Sequence, residues 1–357
     1  MSDPFAALRH SIDEVDAKLL ELLNQRASLS LDIGTIKSRG KFPILNPKRE
    51  KDLVADLKAH NAGPLPNAHL ERIYCEIMSS SRRLQAPLTV AYLGPKGTFS
   101  YYAGVESLGR SLDYIPQRDL ESVFQAVSFG KTQLGIVPFE NSLNGGVGQS
   151  MDLFLRYQVS IQAETYSRIN HCLHGTAKDL DSVTRIFSHP QALAQCTRWL
   201  RTSVPHAELV PTVSTGAAMD AVLTQPGAAL IGHSSLSNHE GMRCLARDIQ
   251  DEPDNWTRFL ILTKDPYVGE SRDKTSLLLT LPDRPGILQQ VLTFLSEAGI
   301  NMTKLESRPL RYEKWKYAFF IDVQSDLTSP EAEPVLEKIR AISQTVRILG
   351  SYTTWHE

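Results

Sequence analysis

Between Pro4 and about Arg39 the chain has no further proline and one glycine, Gly34. Apolar residues recur at Leu8, Ile12, Val15, Leu19, Leu22, Leu29, Ile33 and Ile36. Intervals of four and three alternate, which is the signature of one long helix with a heptad stripe. Between Leu22 and Leu29, where the stripe calls for an apolar residue, stands Arg26.

Asn46-Pro47 reads as an N-cap followed by proline at the first helical position. The second helix carries Glu50, Leu53 and Leu57 on one face, with Arg49 beside it, and Gly63-Pro64-Leu65-Pro66 ends it. A third helix aligns Leu70, Tyr74, Ile77, Ser81 and Leu84, with Gln85 one turn beyond Ser81. One polar residue in a seam is a register device or a snorkelling side chain. Several in one small bundle point to a site. Arg9, Arg26, Lys37 and Arg49 are cations suited to carboxylates. Glu50, Ser81 and Gln85 add hydrogen bonds, and the set holds no nucleophile–base pair and no metal ligands. Such an inventory binds a small dicarboxylate and stabilises charge as it shifts.

The segment resembles the all-helical chorismate mutase family over its length. The resemblance implies rearrangement of chorismate to prephenate, in which the substrate conformer is held and negative charge on the ether oxygen is stabilised. It implies Arg9, Arg26 and Arg49 on the carboxylates, and Lys37 and Gln85 at the ether oxygen. Glu50 and Ser81 would contact the hydroxyl and a carboxylate. Asn46 stands where the family often has aspartate and still offers a hydrogen bond. Arg9 and Arg26 lie seventeen positions apart, roughly 25 Å along a helix at about 1.5 Å per residue. Arg9 is therefore expected in the site of an antiparallel partner, which makes the chain a homodimer or a higher oligomer.

Ala86-Pro87-Leu88 marks a boundary. Thr89–Leu93 then reads as a strand running into Gly94-Pro95-Lys96-Gly97-Thr98-Phe99-Ser100 and a helix, a weak anion-cradle pattern. Helix 119–127 leads through Gly130 to the strand Leu134-Gly135-Ile136-Val137-Pro138. Helix 214–222, capped by Ser214, leads likewise through Gly227 to Ala228–Gly232. Two such echoing halves predict a bilobed α/β fold like the periplasmic binding proteins, with ligand where strands end and helices begin. Arg185–Leu193 reads as strand, helix cap at Ser188, proline and helix, with Gln191 in the first turn. His189 beside a proline is read as structural, and His171, His174, His206, His233 and His239 have no metal spacing.

Three separated motifs, 137–142 (VPFENS), 188–191 (SHPQ) and 254–259 (DNWTRF), resemble prephenate dehydratase across residues 88 to 268. The resemblance implies decarboxylation and dehydration of prephenate to phenylpyruvate, driven by aromatisation and without a cofactor. Thr257 would meet the leaving hydroxyl, and Glu140 is the alternative proton source. Arg258 would bind a carboxylate unless it forms a structural ion pair. Asn141, Ser188, Gln191 and Phe259 would complete the lining.

After a polar linker from Gly269, the elements run β-α-β-β-α-β, the ferredoxin-like plan. No acid–base set is visible there. Pro285-Gly286-Ile287-Leu288 and Glu306-Ser307-Arg308-Pro309 resemble the ACT domain of phenylalanine-responsive dehydratases. The implied effector residues are Gly286, Ile287, Leu288, Asn301, Met302, Glu306 and Ser307.

The expected architecture is an all-α bundle at 1–87, a bilobed α/β domain at 88–268 and an α+β ferredoxin-like domain at 272–357. The partners are chorismate, prephenate and L-phenylalanine. A net charge of −2 supplies no basic field for nucleic acid, and no apolar run reaches the roughly 20 residues of a membrane span. Four scattered cysteines (Cys75, Cys172, Cys196, Cys244) and a start without signal-peptide character suit the cytoplasm. Two alternatives remain at this point: a dehydratase with a purely dimerising helical segment, and a non-catalytic amino-acid sensor. Arg26 together with Thr257-Arg258-Phe259 favours the enzyme.

Overall fold

The computed structural model describes all residues except 1–3, 41, 213–214, 239–240, 267–271, 311–315 and 355–357. Ser214, His239 and Gly269 lie outside the described residues. The chain forms two units, one of residues 1–88 with 108–113, the other of 89–107 with 114–357.

The described residues of the first unit form three helices, Pro4–Gly40, Pro47–His60 and Asn67–Gln85. Asn46 caps the second, its Oδ1 accepting from the Arg49 amide at 3.1 Å. Gly34 lets the first helix meet the end of the third, since a Cβ there would lie 2.8 Å from Gln85 Cα. The heptad stripe of the first helix lies in the open: Leu8, Ile12, Val15, Leu19, Leu22, Leu29, Ile33 and Ile36 are 45–65% exposed.

The described residues of the second unit form three sheets. The first runs Asp113–Gln117, Thr89–Leu93, Leu134–Asn141, Trp256–Thr263, Ser160–Arg168, with the short Gly145–Gly146 strand on Leu134–Asn141. Trp256–Thr263 is antiparallel to both its neighbours. The second sheet runs Arg243–Ala246, Cys172–Gly175, Ala228–Gly232, Arg185–Ser188, Glu208–Pro211. The chain enters this sheet after Arg168 and leaves it before Trp256, and the Ile169 amide bonds the Asn255 carbonyl at 2.7 Å where the two crossings meet. Two lobes joined by paired crossings fit the bilobed expectation.

The helix cap expected at Ser188 is a correction. Ser188 is the last residue of its strand, and its hydroxyl donates to the Ile231 carbonyl of the adjacent strand at 3.0 Å. His189 caps helix Pro190–Gln195 instead, its Nδ1 accepting from the Gln191 amide.

The third sheet runs Met302–Pro309, Tyr317–Val323, Lys274–Thr280, Thr345–Tyr352, all pairs antiparallel, with helices Ile287–Glu297 and Glu333–Ile342. This is the ferredoxin-like order. Its two central strands, Lys274–Thr280 and Tyr317–Val323, are buried on both sides. Leu277, Leu279, Ile321 and Val323 face the module's own helices with Ile287, Val291 and Ile339. Leu278, Ala318, Phe320, Leu349 and Tyr352 join Phe139, Phe154, Val159 and Ile161 of the first lobe in a common apolar core.

Candidate active sites

In the helical unit the polar residues of the three seams converge. Arg26 bonds the Ser81 hydroxyl, and Ser81 in turn donates to the Ile77 carbonyl at 2.9 Å. Lys37 donates to the Ile44 carbonyl at 2.8 Å. Burial lowers its pKa, and the nearby Glu50 carboxylate works in the opposite direction. Glu50 Oε1 accepts from Arg82, a buried residue that the sequence reading missed and that also bonds the Leu108 carbonyl. Glu50 Oε2 and Gln85 Oε1 are buried and have no partner among the described residues. A buried acceptor left unpaired costs about 1–3 kcal/mol, so these two atoms suit a ligand that donates. Asn46 spends its side-chain oxygen on the helix cap, and Arg9 and Arg49 are exposed.

In the second unit strand pairing sets Thr257 opposite Asn141 and Arg258 opposite Glu140. Asn141 Nδ2 donates to Thr257 Oγ1 at 3.0 Å and to Asn255 Oδ1 at 2.6 Å, while its Oδ1 accepts from the amides of Leu143 and Asn144. Thr257 Oγ1 thus accepts from within the protein, and among the described residues nothing takes its own hydrogen. Asn255 is buried, and its Nδ2 has no partner among the described residues, so it is a second donor beside Thr257 that the sequence reading left out.

Arg258 is placed otherwise than a substrate-carboxylate anchor requires. It is 4% exposed, and every guanidinium nitrogen is bonded to protein. Nε meets Glu164 at 2.7 Å, Nη1 meets Asp322 at 2.6 Å, and Nη2 meets Tyr352 at 3.0 Å. Burial opposes its charge, but Tyr352, Asp322 and Glu164 more than offset this and hold its pKa high. Lys274 joins the cluster, 2.9 Å from Glu164 Oε1. Burial alone would raise the Asp322 pKa, yet Arg258 and Lys274 bring it below the usual carboxylate range.

Phe259 is 2% exposed, as deeply buried as Asn255 and Ser188. Gln191 is exposed on the second lobe. An aromatic and histidine group follows the Gly94–Gly97 loop: Phe99 meets His171 and His233 edge-on, and Tyr102 stacks on His233 at 4.1 Å. Burial pushes His174 and His233 down to about 4, so both rings are neutral near pH 7.

In the third module Gly286 has φ +78°, a left-handed conformation that glycine adopts freely, at the N-cap of helix Ile287–Glu297. Leu288 is partly buried, whereas Ile287 belongs to the module's core. Asn301 is tied to Gln324 by its side-chain amide at 2.6 Å. Along Met302–Pro309 exposure alternates: Met302, Lys304, Glu306 and Arg308 are turned inward, while Leu305 and Ser307 are exposed.

Comparison with known proteins agrees with these three parts. The family model of chorismate mutase type II matches residues 8–86, that of prephenate dehydratase residues 90–267, and that of the ACT domain residues 275–341. A bifunctional chorismate mutase/prephenate dehydratase of Pseudomonas aeruginosa is 37% identical over 98% of both chains. One from Aquifex aeolicus is 36% identical over 97% of this chain and 96% of its own. The crystal structure of prephenate dehydratase in complex with L-Phe from Arthrobacter aurescens covers 75% of this chain and 90% of its own, with a TM-score of 0.69 at 31% identity. The chain belongs to the bifunctional chorismate mutase/prephenate dehydratase family and carries an ACT domain after its two enzyme domains.

Proposed function

We propose that one chain takes chorismate to prephenate in the helical unit and prephenate to phenylpyruvate at the Thr257 strand, under feedback by L-phenylalanine. The domains divide near residues 87 and 268. In the mutase, Arg26 and the partner's Arg9 hold the carboxylates, with Arg49 at the rim. Lys37 and Gln85 serve the ether oxygen, while Glu50 and Ser81 bind the hydroxyl end. Two orphaned buried acceptors, on Glu50 and Gln85, and the half-buried Lys37 near Glu50 support this reading. In the dehydratase, Thr257 donates to the departing hydroxyl, with the Glu140 carboxylate on the facing strand and Asn141, Asn255 and Gln191 as polar lining. The single observation that carries it is the 3.0 Å bond from Asn141 to Thr257, which joins two motifs 116 residues apart. Arg258, bonded to protein on every nitrogen, holds the strand and does not hold substrate.

Homodimerisation through the first helix is supported by its exposed apolar stripe, which one chain alone leaves in water. The edge position of Met302–Pro309 in its sheet and the turn at Gly286 support a phenylalanine site where two ACT modules meet. No helix among the described residues is long and apolar enough to cross a membrane, and the chain is read as cytoplasmic. Ultraviolet assay of the purified protein tests the whole reading: chorismate is consumed and phenylpyruvate accumulates. If prephenate accumulates and persists, the dehydratase assignment fails.

A further inference from the structure

Lys304 lies in the ACT module, on the strand that carries Glu306 and Ser307, yet its ammonium reaches the dehydratase motif. Nζ is 2.9 Å from Glu140 Oε1 and 3.0 Å from Glu306 Oε2. It also sits 5.7 Å over the Phe139 ring, and its side chain is only 10% exposed. Arg258 Nη1 approaches the other oxygen of Glu140 at 3.4 Å. Both oxygens of Glu140 therefore accept from cations, one from the catalytic strand and one from the ACT module. Inward-turned neighbours fix this strand against the lobe: Arg308 is bonded to Asp152 at 3.1 Å, and a Cβ at Gly146 would lie 2.2 Å from Glu306. Four carboxylates (Glu140, Glu164, Asp322, Glu306) share three cations (Arg258, Lys274, Lys304), so no cation is redundant.

We propose that Lys304 is a positioning residue of the dehydratase: it holds the Glu140 carboxylate at the active-site strand, in competition with Glu306. A charge-assisted bond of 2.9 Å is a strong one, and without it Glu140 keeps only the 3.4 Å approach of Arg258 and is free to swing. Residues that work through one another give non-additive effects, whereas an independent structural role adds. The proposal rests on the reading that Glu140 belongs to the dehydratase site.

The test is steady-state kinetics of the full-length protein with Lys304→Met, Lys304→Arg, Glu140→Gln and the double variant Lys304→Met/Glu140→Gln. Glu140→Gln is expected to lower dehydratase kcat by roughly a hundredfold, in the usual range for an acid–base group. Lys304→Met is expected to lower kcat by roughly tenfold with a smaller change in KM, and Lys304→Arg to restore most of it. Adding Lys304→Met to Glu140→Gln should cost nothing further. The thermal melting transition of the same samples reports folding of the unit that carries both residues. If Glu140→Gln keeps full kcat, both the Glu140 reading and the proposal fall. If Glu140→Gln is impaired while Lys304→Met keeps full kcat, or the two losses multiply, the positioning role alone is overturned.

Discussion

Lys37 and Thr257 are each asked to do one thing, and each makes a separable prediction. Lys37 must be cationic to face a developing negative charge, but burial lowers its pKa. The alkaline limb of mutase kcat/KM, which reports the free enzyme, should therefore have its midpoint below the ordinary lysine value of 10.5. Lys37→Arg should move that limb beyond the measurable range. The linked effect on stability has a definite sign. The folded chain sheds this proton before the unfolded chain does, so stability rises as pH climbs through the folded pKa toward 10.5. Thr257 accepts from Asn141, and among the described residues nothing takes its hydrogen. Thr257→Ala should lower dehydratase kcat by roughly a hundredfold and raise KM far less, because a bond to a leaving group strengthens toward the transition state. Mutase rate should be unchanged. Dehydratase kcat at the wild-type level in Thr257→Ala would remove this residue from the mechanism.

The first helix is the element whose surface asks for a second chain. Arg9 and Arg26 lie too far apart for one small dicarboxylate, so each site is expected to combine Arg26 of one protomer with Arg9 of its partner. Arg9→Ala and Arg26→Ala homodimers should both lack mutase activity. In a mixed dimer one site has both arginines and the other neither, so differently tagged and isolated heterodimers should recover about half of the wild-type rate. No recovery would place Arg9 outside the site. Elements of this kind were legible in the sequence because their signals are local: heptad spacing, Asn46-Pro47 as a cap, and glycine ahead of a buried strand. Side-chain partners were not. The acid for Arg82 is 32 residues away, and the Glu164 that meets Lys274 is 110 residues away. Glu164 did leave a trace, as a charged residue at a buried position of strand Ser160–Arg168. Ser188 misled because serine is a favoured cap residue, although proline at the first helical position points to the residue directly before it, His189, and only the neighbouring strand shows that the serine hydroxyl is taken.

At the scale of the whole molecule, the ACT module shares a core with the body that carries the dehydratase motifs. The apolar run Leu277-Leu278-Leu279 hinted at this, since continuous rather than alternating apolar residues mark a strand covered on both faces. Cutting the chain near residue 269 to obtain a phenylalanine-blind dehydratase is therefore a poor test. The cut strips Asp322, Lys274 and Tyr352 from the Arg258 cluster and uncovers Phe139, Phe154 and Ile161. The truncated chain should melt roughly 10 °C or more below the full one, because each kcal/mol lost moves Tm by about 2–4 °C at this size. A substitution on the outer face of the effector strand is cleaner. Ser307 is exposed and turned away from the Lys304–Glu140 contact, so Ser307→Ala should weaken phenylalanine binding without touching that bond. Phenylalanine can inhibit only by preferring a state in which the dehydratase site is misaligned, and reciprocity then applies. A non-reacting prephenate analogue must weaken phenylalanine binding by the same factor that phenylalanine weakens the analogue's, about 5- to 150-fold for a coupling of about 1–3 kcal/mol. Calorimetry on the full-length protein measures both factors. If saturating analogue abolishes phenylalanine binding outright, and Ser307→Ala leaves the phenylalanine Kd unchanged, phenylalanine is a competitor for the dehydratase site and the ACT module is not its receptor.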